Sequence, residues 1–272
     1  MVSSYNVHRG EEPPISGTQG SGTIFMTHCN LHCVFCQNFP ISQMGVGRER
    51  SGESLGKMIL DLQNRGCHNI NWVTPTHFVP QILEALCWAI ARGFRLPLVY
   101  NTNGYDRLET LRLLDGVVDI YLPDMKYGND RAAKRYSDAA DYVAVNHAAV
   151  REMFRQAGPL RTDDSNIACR GLCIRHLVLP EGAAGTDDIF NYLMANYDPH
   201  DIYISLMAQY RPLHRAGEFP EINRTVTHEE YEPLRRKFIE AGFGGFYQEI
   251  SKMDKNFVID FKKRKSERLT GD

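Results

Sequence analysis

Short, largely apolar runs alternate along the chain with longer stretches in which apolar residues recur every three or four positions. The short runs are rich in β-branched and aromatic residues, which is typical of buried strands. We predict strands at residues 23–26, 69–74, 96–100, 117–122, 174–179 and 202–206.

The longer stretches have the spacing of amphipathic helices. Between residues 53 and 66, the side chains of Leu55, Met58, Ile59 and Leu62 would form one apolar face. The same spacing predicts helices at 81–92, 107–114, 130–156 (with a short extended interruption at 142–145), 187–196 and 228–241.

Strands that alternate with helices form a parallel sheet, since each helix returns the chain to the edge where the next strand starts. Six such pairs favour an α/β fold in which the sheet curves into a partial TIM-like (β/α)6 barrel. A flat, doubly wound sheet is the alternative, because periodicity does not distinguish curved from flat. We predict an irregular arm at residues 1–20, a barrel core at 21–245 and a C-terminal extension at 246–272.

Composition and charge exclude several classes of protein. The 272 residues are 43% apolar and 24% charged, as in ordinary globular proteins. A net charge of -2 gives no reason to expect nucleic acid or a membrane as partner. No run approaches the ~18 apolar residues of a spanning helix, and residues 1–10 lack the apolar part of a signal peptide. We therefore expect a cytoplasmic protein, with the basic stretch 261–265 as a solvated end.

Three of the seven cysteines lie within eight residues, as Cys29, Cys33 and Cys36 in the spacing C-x3-C-x2-C. Three thiolates this close can bind three irons of a [4Fe–4S] cluster, whereas ferredoxin-type carriers supply a cysteine to all four irons. An open coordination position is typical of catalytic metal sites. The spacing therefore predicts a reactive cluster. One alternative is a non-catalytic module that binds an iron–sulfur cluster, or a structural zinc whose site His28 or His32 completes. Another is a chance group of free thiols.

The remaining cysteines are given no metal role. Cys169 and Cys173 repeat the x3 spacing, but they precede the fifth predicted strand and would lie at the opposite edge from the first cluster. Two thiols are also too few for a cluster, so they are interpreted as core or surface residues. Cys67 and Cys87 are predicted to be core residues.

Polar segments follow the predicted strands at 74–77, 101–104, 124–126 and 209–211, and the three clustered cysteines follow the first strand. In α/β barrels the active site lies at the C-terminal edge of the strands. Polar loops are common at any strand end, so each segment alone is weak evidence. Together they predict one rim that carries the chemistry.

The cysteine spacing, with Phe35 before the last cysteine, resembles the signature of radical S-adenosylmethionine (SAM) enzymes. The wider string 20–38 resembles the branch related to pyruvate formate-lyase activating enzyme, and the likeness extends from about Glu11 to the last predicted helix. It implies one radical SAM domain over 1–272, a [4Fe–4S] cluster on the three clustered cysteines, and SAM as cofactor. It also implies reductive cleavage of SAM to a 5′-deoxyadenosyl radical that abstracts hydrogen from substrate.

The resemblance also assigns SAM contacts. Phe35 would face the adenine, and Arg175 would occupy a basic strand position that contacts SAM in relatives. Asp124 and Lys126 match an Asp-Leu-Lys that binds the methionine end of SAM, where a carboxylate suits the ammonium and an ammonium suits the carboxylate.

Three positions depart from the pattern of the activating enzymes. Their Gly-Gly-Glu is replaced by Thr-Pro-Thr, their Asp-Thr-Asn-Gly by Asn-Thr-Asn-Gly, and their late Tyr-His by Gln-Tyr. Backbone carbonyls, hydroxyls and amides would then contact SAM in place of carboxylates. The side chains predicted to do so are those of Thr74, Thr76, Asn101, Asn103 and Gln209.

The same branch implies a partner protein whose backbone glycine loses a hydrogen atom, that is, a glycyl radical enzyme, with flavodoxin or ferredoxin as reductant. The alternative with the same cofactors is an enzyme that modifies a small molecule or a peptide, because substrate does not follow from fold.

We expect Cys33→Ala to abolish both cluster assembly and SAM cleavage, since it removes one of three iron ligands. Cys173→Ala should leave both intact. Iron content and 5′-deoxyadenosine formation after anaerobic reconstitution measure the two properties, and a Cys173→Ala protein without a cluster would contradict the placement of that strand.

Overall fold

The computed structural model describes residues 1–252, so the basic stretch 261–265 and most of the predicted C-terminal extension lie outside the described residues. The strands are β1 Val2–His8, β2 Ser21–Met26, β3 Ile70–Val73, β4 Leu98–Thr102, β5 Ile120–Pro123, β6 Arg161–Thr162, β7 Ala168–Leu177, β8 Tyr203–Met207 and β9 Gly244–Tyr247. The helices are α1 Pro13–Ser16, α2 Phe39–Ser42, α3 Gly52–Asn64, α4 Val79–Ile90, α5 Leu108–Arg112, α6 Asp130–Ser137, α7 Tyr142–Ala157, α8 Thr186–Asn196 and α9 His228–Glu240.

The strands form one mostly parallel sheet in the order β1-β2-β3-β4-β5-β7-β8-β9. From β2 to β9 each neighbouring pair is parallel, whereas β1 is antiparallel to β2 and β6 is antiparallel to β7. In the described part of the chain β1 and β9 are the two ends and do not pair with each other, so the sheet stays open. The predicted α/β fold with a partial barrel is confirmed.

Two consecutive residues demonstrate the curvature of the sheet. Glu11 accepts a hydrogen bond from Asn71 Nδ2 on β3 at 3.2 Å, and the side chain of Glu12 lies near the Ser205 hydroxyl on β8. These strands are four positions apart in the sheet, which would separate them by roughly 19 Å if the sheet were flat. The sheet therefore curves around residues 11 and 12.

The predicted irregular arm at 1–20 is wrong in two places. Strand β1 pairs with β2 from Val2 opposite Met26 to His8 opposite Ser21, and so supplies hydrogen bonds to a strand that would otherwise form the sheet edge. Helix α1 follows, with proline in its first turn, where the missing N–H costs no hydrogen bond. The polar residues of β1 obscure its pattern, because only Val2 and Asn6 of the strand are buried.

Further corrections concern the second half of the chain. Residues 142–145 are helical, and the break between α6 and α7 lies just before them, where Asp138 adopts a left-handed conformation at φ 57°. Strand β7 begins at Ala168, so Cys169 and Cys173 lie within it rather than before it. Strands β6 and β9 escaped prediction, since β6 has two residues and β9 begins with two glycines.

The isolated cysteines occupy different environments. Cys67 is buried as predicted, but Cys87 on α4 is exposed, because it falls on the outer face of that helix. Cys173 is buried and pairs with Tyr203, the first residue of β8, which places it towards the N-terminal edge of the sheet. Cys169 is exposed.

Two glycines with nearly the same positive φ allow packing next to β4 to be tested. Gly104 and Gly116 have φ of 75° and 76°, but a Cβ on Gly104 would lie 2.2 Å from both the Asp124 carbonyl oxygen and Asn146 Nδ2. A Cβ on Gly116 would have no neighbour within 4 Å.

We expect Gly116→Ala to lower the free energy of unfolding by about 1 kcal/mol, through backbone strain alone. Gly104→Ala should lower it by about 1–3 kcal/mol more, because the loops after β4 and β5 would have to move apart. Urea denaturation of both variants measures the difference, and equal losses would show that the close approach is not needed.

Candidate active site

A cavity of about 660 Å³ opens at the C-terminal edge of the parallel strands. Nearly all the residues predicted from sequence to bind the cluster or SAM lie around it. They are Cys29, Cys33, Phe35, Cys36, Thr74, Asn101, Asn103, Asp124, Lys126, Arg175 and Gln209. Thr76 does not line the cavity; its hydroxyl lies 3.2 Å from that of Thr102, behind the wall.

Each of the three clustered cysteines has a polar neighbour close to its sulfur. Ser137 Oγ donates to Cys33 Sγ at 2.9 Å, and Asn103 Nδ2 donates to Cys29 Sγ at 3.3 Å. Cys36 Sγ lies 3.2 Å from a serine hydroxyl on α2. Hydrogen bonds of this kind orient thiolate ligands and set the potential of an iron–sulfur cluster. The donor set therefore fits a cluster ligated by these cysteines.

Burial disfavours the thiolate form of two of these cysteines. It raises the pKa of Cys33 to about 12, and the Lys126 ammonium opposes this shift. Burial also raises the pKa of Cys36. Because thiolate is the ligand form, iron must displace a proton from the sulfurs of Cys33 and Cys36 when it binds.

The site does not have the geometry of a single-ion centre. Across residues 1–252, no three His, Cys, Asp or Glu side chains are arranged to hold one metal ion. A [4Fe–4S] cluster makes no such demand, because each cysteine binds a different iron. His28 lines the cavity and His32 does not.

An ion-pair network of Asp124, Lys126 and Arg175 forms one wall of the cavity. Lys126 Nζ donates to Asp124 Oδ2 at 2.6 Å, and Arg175 Nε donates to Asp124 Oδ1 at 2.8 Å. Arg175 also donates to Asn101 Oδ1 at 2.7 Å. Burial alone would raise the pKa of Asp124, but the two cations outweigh it and lower the pKa below its usual range. The carboxylate is therefore ionised at neutral pH.

Helix α7 anchors the loops that carry this network. The Tyr142 hydroxyl lies 2.8 Å from the Asn103 carbonyl oxygen and accepts the Lys126 N–H at 3.0 Å. Asn146 Nδ2 donates to the carbonyls of Gly104 and Asp124, both at 3.0 Å. Tyr142 and Asn146 escaped sequence reasoning, and the signal they left was a pair of polar residues one turn apart on a buried helix face.

The loop after β8 packs on the cysteine loop. Phe35 meets Tyr210 edge to face with ring centroids 5.5 Å apart, and Arg215 N donates to the Val34 carbonyl at 2.7 Å. Gln209 is positioned by Gln248, whose Nε2 donates to its Oε1 at 2.9 Å. Phe35 is thus held rigidly at the cavity wall, as an aromatic packing surface requires.

His176 supports the ion-pair network from behind. Its Nδ1 lies 2.6 Å from the Met125 carbonyl and its Nε2 lies 2.8 Å from Thr186 Oγ1. Burial lowers the pKa of this histidine to about 4, so the ring is neutral at physiological pH. A neutral ring fits this position, because it can donate to the carbonyl and accept from the hydroxyl.

Two acidic residues that sequence reasoning missed also line the cavity. Glu11 and Glu12 lie between β1 and α1, in the segment predicted as an irregular arm. In the sequence they precede a Pro-Pro pair, and such a string is typical of loops. Only the curvature of the sheet brings them to the cavity.

Comparison with known proteins places this fold. Residues 23–157 match the family model of the radical SAM superfamily. An uncharacterized protein of Methanocaldococcus jannaschii is 33% identical over 239 residues, which cover 83% of this chain and 63% of that protein. The chain thus spans less than two thirds of the length of this relative.

Solved structures with the same fold are more distant in sequence. A radical SAM methyltransferase from Sphaerobacter thermophilus matches with a TM-score of 0.54 at 12% identity, over 83% of this chain and 65% of that one. SuiB of Streptococcus suis, bound to its precursor peptide SuiA, matches with a TM-score of 0.54 at 10% identity. The match covers 82% of this chain and 47% of SuiB. At these identities the likeness shows the fold.

Residues 23–157 therefore belong to the radical SAM superfamily. Members of this superfamily bind a [4Fe–4S] cluster and SAM, and SuiB has also been solved with SAM bound. The predictions of superfamily and cofactors are therefore confirmed, and the narrower branch stays a prediction. No helix within residues 1–252 has the length and apolar character needed to cross a membrane.

The buried histidine predicts a pH dependence of stability. Unfolded His176 binds a proton near pH 6.5, whereas the folded residue does so only near pH 4. Its contribution is therefore complete above pH 6.5 and is lost as the pH falls towards 4, by about 3 kcal/mol in total.

We expect His176→Gln to show a correspondingly shallower fall in the free energy of unfolding between pH 6.5 and 4. Urea denaturation at several pH values measures both slopes. Other titrating groups act in both proteins and cancel, so identical slopes would contradict the prediction.

Proposed function

We propose that this chain cleaves SAM reductively at a [4Fe–4S] cluster bound by Cys29, Cys33 and Cys36. The observation that carries the proposal is the position of these cysteines and the Asp124–Lys126–Arg175 network around one cavity. The cysteines can bind the cluster, and the charged network can bind the ammonium and carboxylate of an amino acid. Both groups line the same cavity, which suits a cofactor that contacts the cluster and the network together.

When bound, the cluster and SAM supply an electron and a sulfur–C5′ bond whose cleavage yields a 5′-deoxyadenosyl radical for hydrogen abstraction. The protein contributes orientation and exclusion of water. Ser137 and Asn103 would hold sulfurs through hydrogen bonds, and Phe35 would pack against the adenine.

Asp124 and Lys126 are proposed to bind the ammonium and carboxylate of SAM. Both side chains are mostly buried, with 13% and 20% of their surface exposed, so charge-assisted hydrogen bonds from them are weakly screened. Arg175 keeps Asp124 ionised and is itself held by Asn101. Thr74 and Gln209 are the remaining proposed SAM contacts in the cavity wall; for Thr76 only an indirect role through Thr102 is supported.

For the substrate we retain two hypotheses. The glycyl-radical-activating role rests on the sequence motif, and its test is a glycyl radical signal after incubation with a glycyl radical enzyme of the same organism. Modification of a small molecule or peptide is the alternative, and it predicts SAM cleavage without that signal. Flavodoxin or ferredoxin is the proposed reductant in either case.

The proposed cleavage is tested by EPR of the anaerobically reconstituted, reduced protein with and without SAM, together with assay of 5′-deoxyadenosine. We expect a [4Fe–4S]⁺ signal that changes when SAM is added, and 5′-deoxyadenosine formation under strong reduction. A signal indifferent to SAM, zinc in place of iron, or absence of the nucleoside would each overturn the proposal.

Asp124→Asn should weaken SAM binding by roughly tenfold or more, because it removes a charged acceptor and deprives Lys126 and Arg175 of the carboxylate they share. Equilibrium dialysis with labelled SAM measures the affinity. The matched control is Asp164→Asn on an exposed loop, where no change is expected.

Circular dichroism of the two variants checks that both are folded. A folded Asp124→Asn protein with the SAM affinity of the parent chain would remove Asp124 from the proposed site.

A further inference from the structure

Residues 9–16, here termed the floor segment, close the N-terminal end of the curved sheet, opposite the cysteine loop. Ile15 is fully buried and packs with Val99, Ile120 and Cys173 from three neighbouring strands. Its carbonyl accepts from Asn69 Nδ2 at 2.8 Å, just before β3 begins. The cavity therefore extends from the cysteines at one end to the floor segment at the other.

The floor segment presents two carboxylates to this cavity, and they differ in their partners. Glu11 accepts from Asn71 and lies 3.6 Å from Arg175. Glu12 is only 5% exposed, and its buried Oε2 has no hydrogen-bond partner among residues 1–252. The neighbouring Ser205 hydroxyl also has no partner of full hydrogen-bonding geometry, and it lies close enough to Glu12 to lower the pKa of that carboxyl.

The buried cations near Glu12 are already engaged elsewhere. Arg175 directs its donors to Asp124 and Asn101, and Lys126 directs its ammonium to Asp124. In the described part of the chain Glu12 forms no ion pair at 4 Å or less. An almost fully buried carboxylate with one oxygen unpartnered and no ion pair is costly, so a bound donor is the expected complement.

The pKa shifts of the two glutamates are consistent with a bound donor beside Glu12. Burial raises the pKa of both Glu11 and Glu12 above the usual range, while Arg175 opposes the shift. A cation placed beside Glu12 would stabilise its charged form and offset the cost of burial.

We propose that Glu12 binds a protonated amine or guanidinium group of the substrate at the floor of the cavity. This inference rests on the proposed SAM-cleaving function, since it takes the upper part of the cavity as the SAM site. The substrate would extend from the cysteine end, where hydrogen is abstracted, down to its cationic group at Glu12.

The ammonium of SAM itself is a less suitable occupant of this position. The proposed SAM contacts Asp124 and Lys126 follow the carboxyl end of β5. Glu12 instead lies near Cys173, opposite the first residue of β8, and near Ser205 in the middle of that strand, so it is deeper in the cavity than the strand ends. A SAM molecule held at the cysteine end therefore leaves Glu12 to a second ligand.

The test uses butylguanidinium as the probe and butylurea as its uncharged isostere, in the reconstituted protein with SAM present. Saturation-transfer NMR measures the binding of both, and 5′-deoxyadenosine is assayed in the same preparation. We expect binding of butylguanidinium in preference to butylurea. Glu12→Gln should weaken butylguanidinium binding by roughly tenfold to a hundredfold, because it replaces a charged acceptor with an amide of similar size.

Glu229→Gln, an exposed glutamate on α9, is the matched control and should bind the probe as the parent chain does. Equal binding of the two probes, or butylguanidinium binding unchanged in Glu12→Gln, would overturn the inference. A loss of SAM affinity in Glu12→Gln as large as the loss of probe binding would also overturn it, by assigning Glu12 to the SAM site. Absence of 5′-deoxyadenosine in the parent chain would instead refute the proposed function.

Discussion

The buried ion pair between Asp124 and Arg175 is the interaction on which the cavity depends. It joins the end of β5 to β7, and Arg175 extends the connection to β4 through Asn101 and towards the floor through Glu11. Breaking such a pair by removing one partner leaves an uncompensated charge, which is far more destabilising than replacing both. The same geometry that holds three strands together therefore also fixes the charge of the cavity wall.

The alternation of strands and helices was predictable because its signal is local. Each central strand is a short apolar run, and each helix such as α3 carries its apolar residues on one face. Strand β1 lacks that signal, since its stability comes from hydrogen bonds to β2 rather than from burial of its own side chains. The hydrophobic pattern of a segment indicates which side chains are buried. It gives no signal for a strand such as β1, which is formed mainly by hydrogen bonds to its neighbour.

The rim of the site was also predictable, because parallel strands end at one edge and their following loops must meet there. Contacts between parts of the chain that are distant in sequence could not be predicted. The hydrogen bond from Ser137 to Cys33 joins residues 104 positions apart, and Tyr142 reaches two loops at once. Neither pairing has a signature within one stretch of sequence, and the path of Glu11 and Glu12 into the barrel depends on the curvature of the whole sheet.

The floor segment has a consequence for how the protein is made. Residues 9–16 are synthesised before β7 and β8, and their packing partners on β7 and their neighbour Ser205 on β8 follow more than 150 residues later. Contacts of such long sequence separation form late, because closing a long loop costs entropy before the contacts compensate for it. The floor segment thus packs against the sheet in one of the last folding steps. A chain arrested before β7 would contain the cysteine loop, but its floor segment would lack the packing partners on β7 and β8.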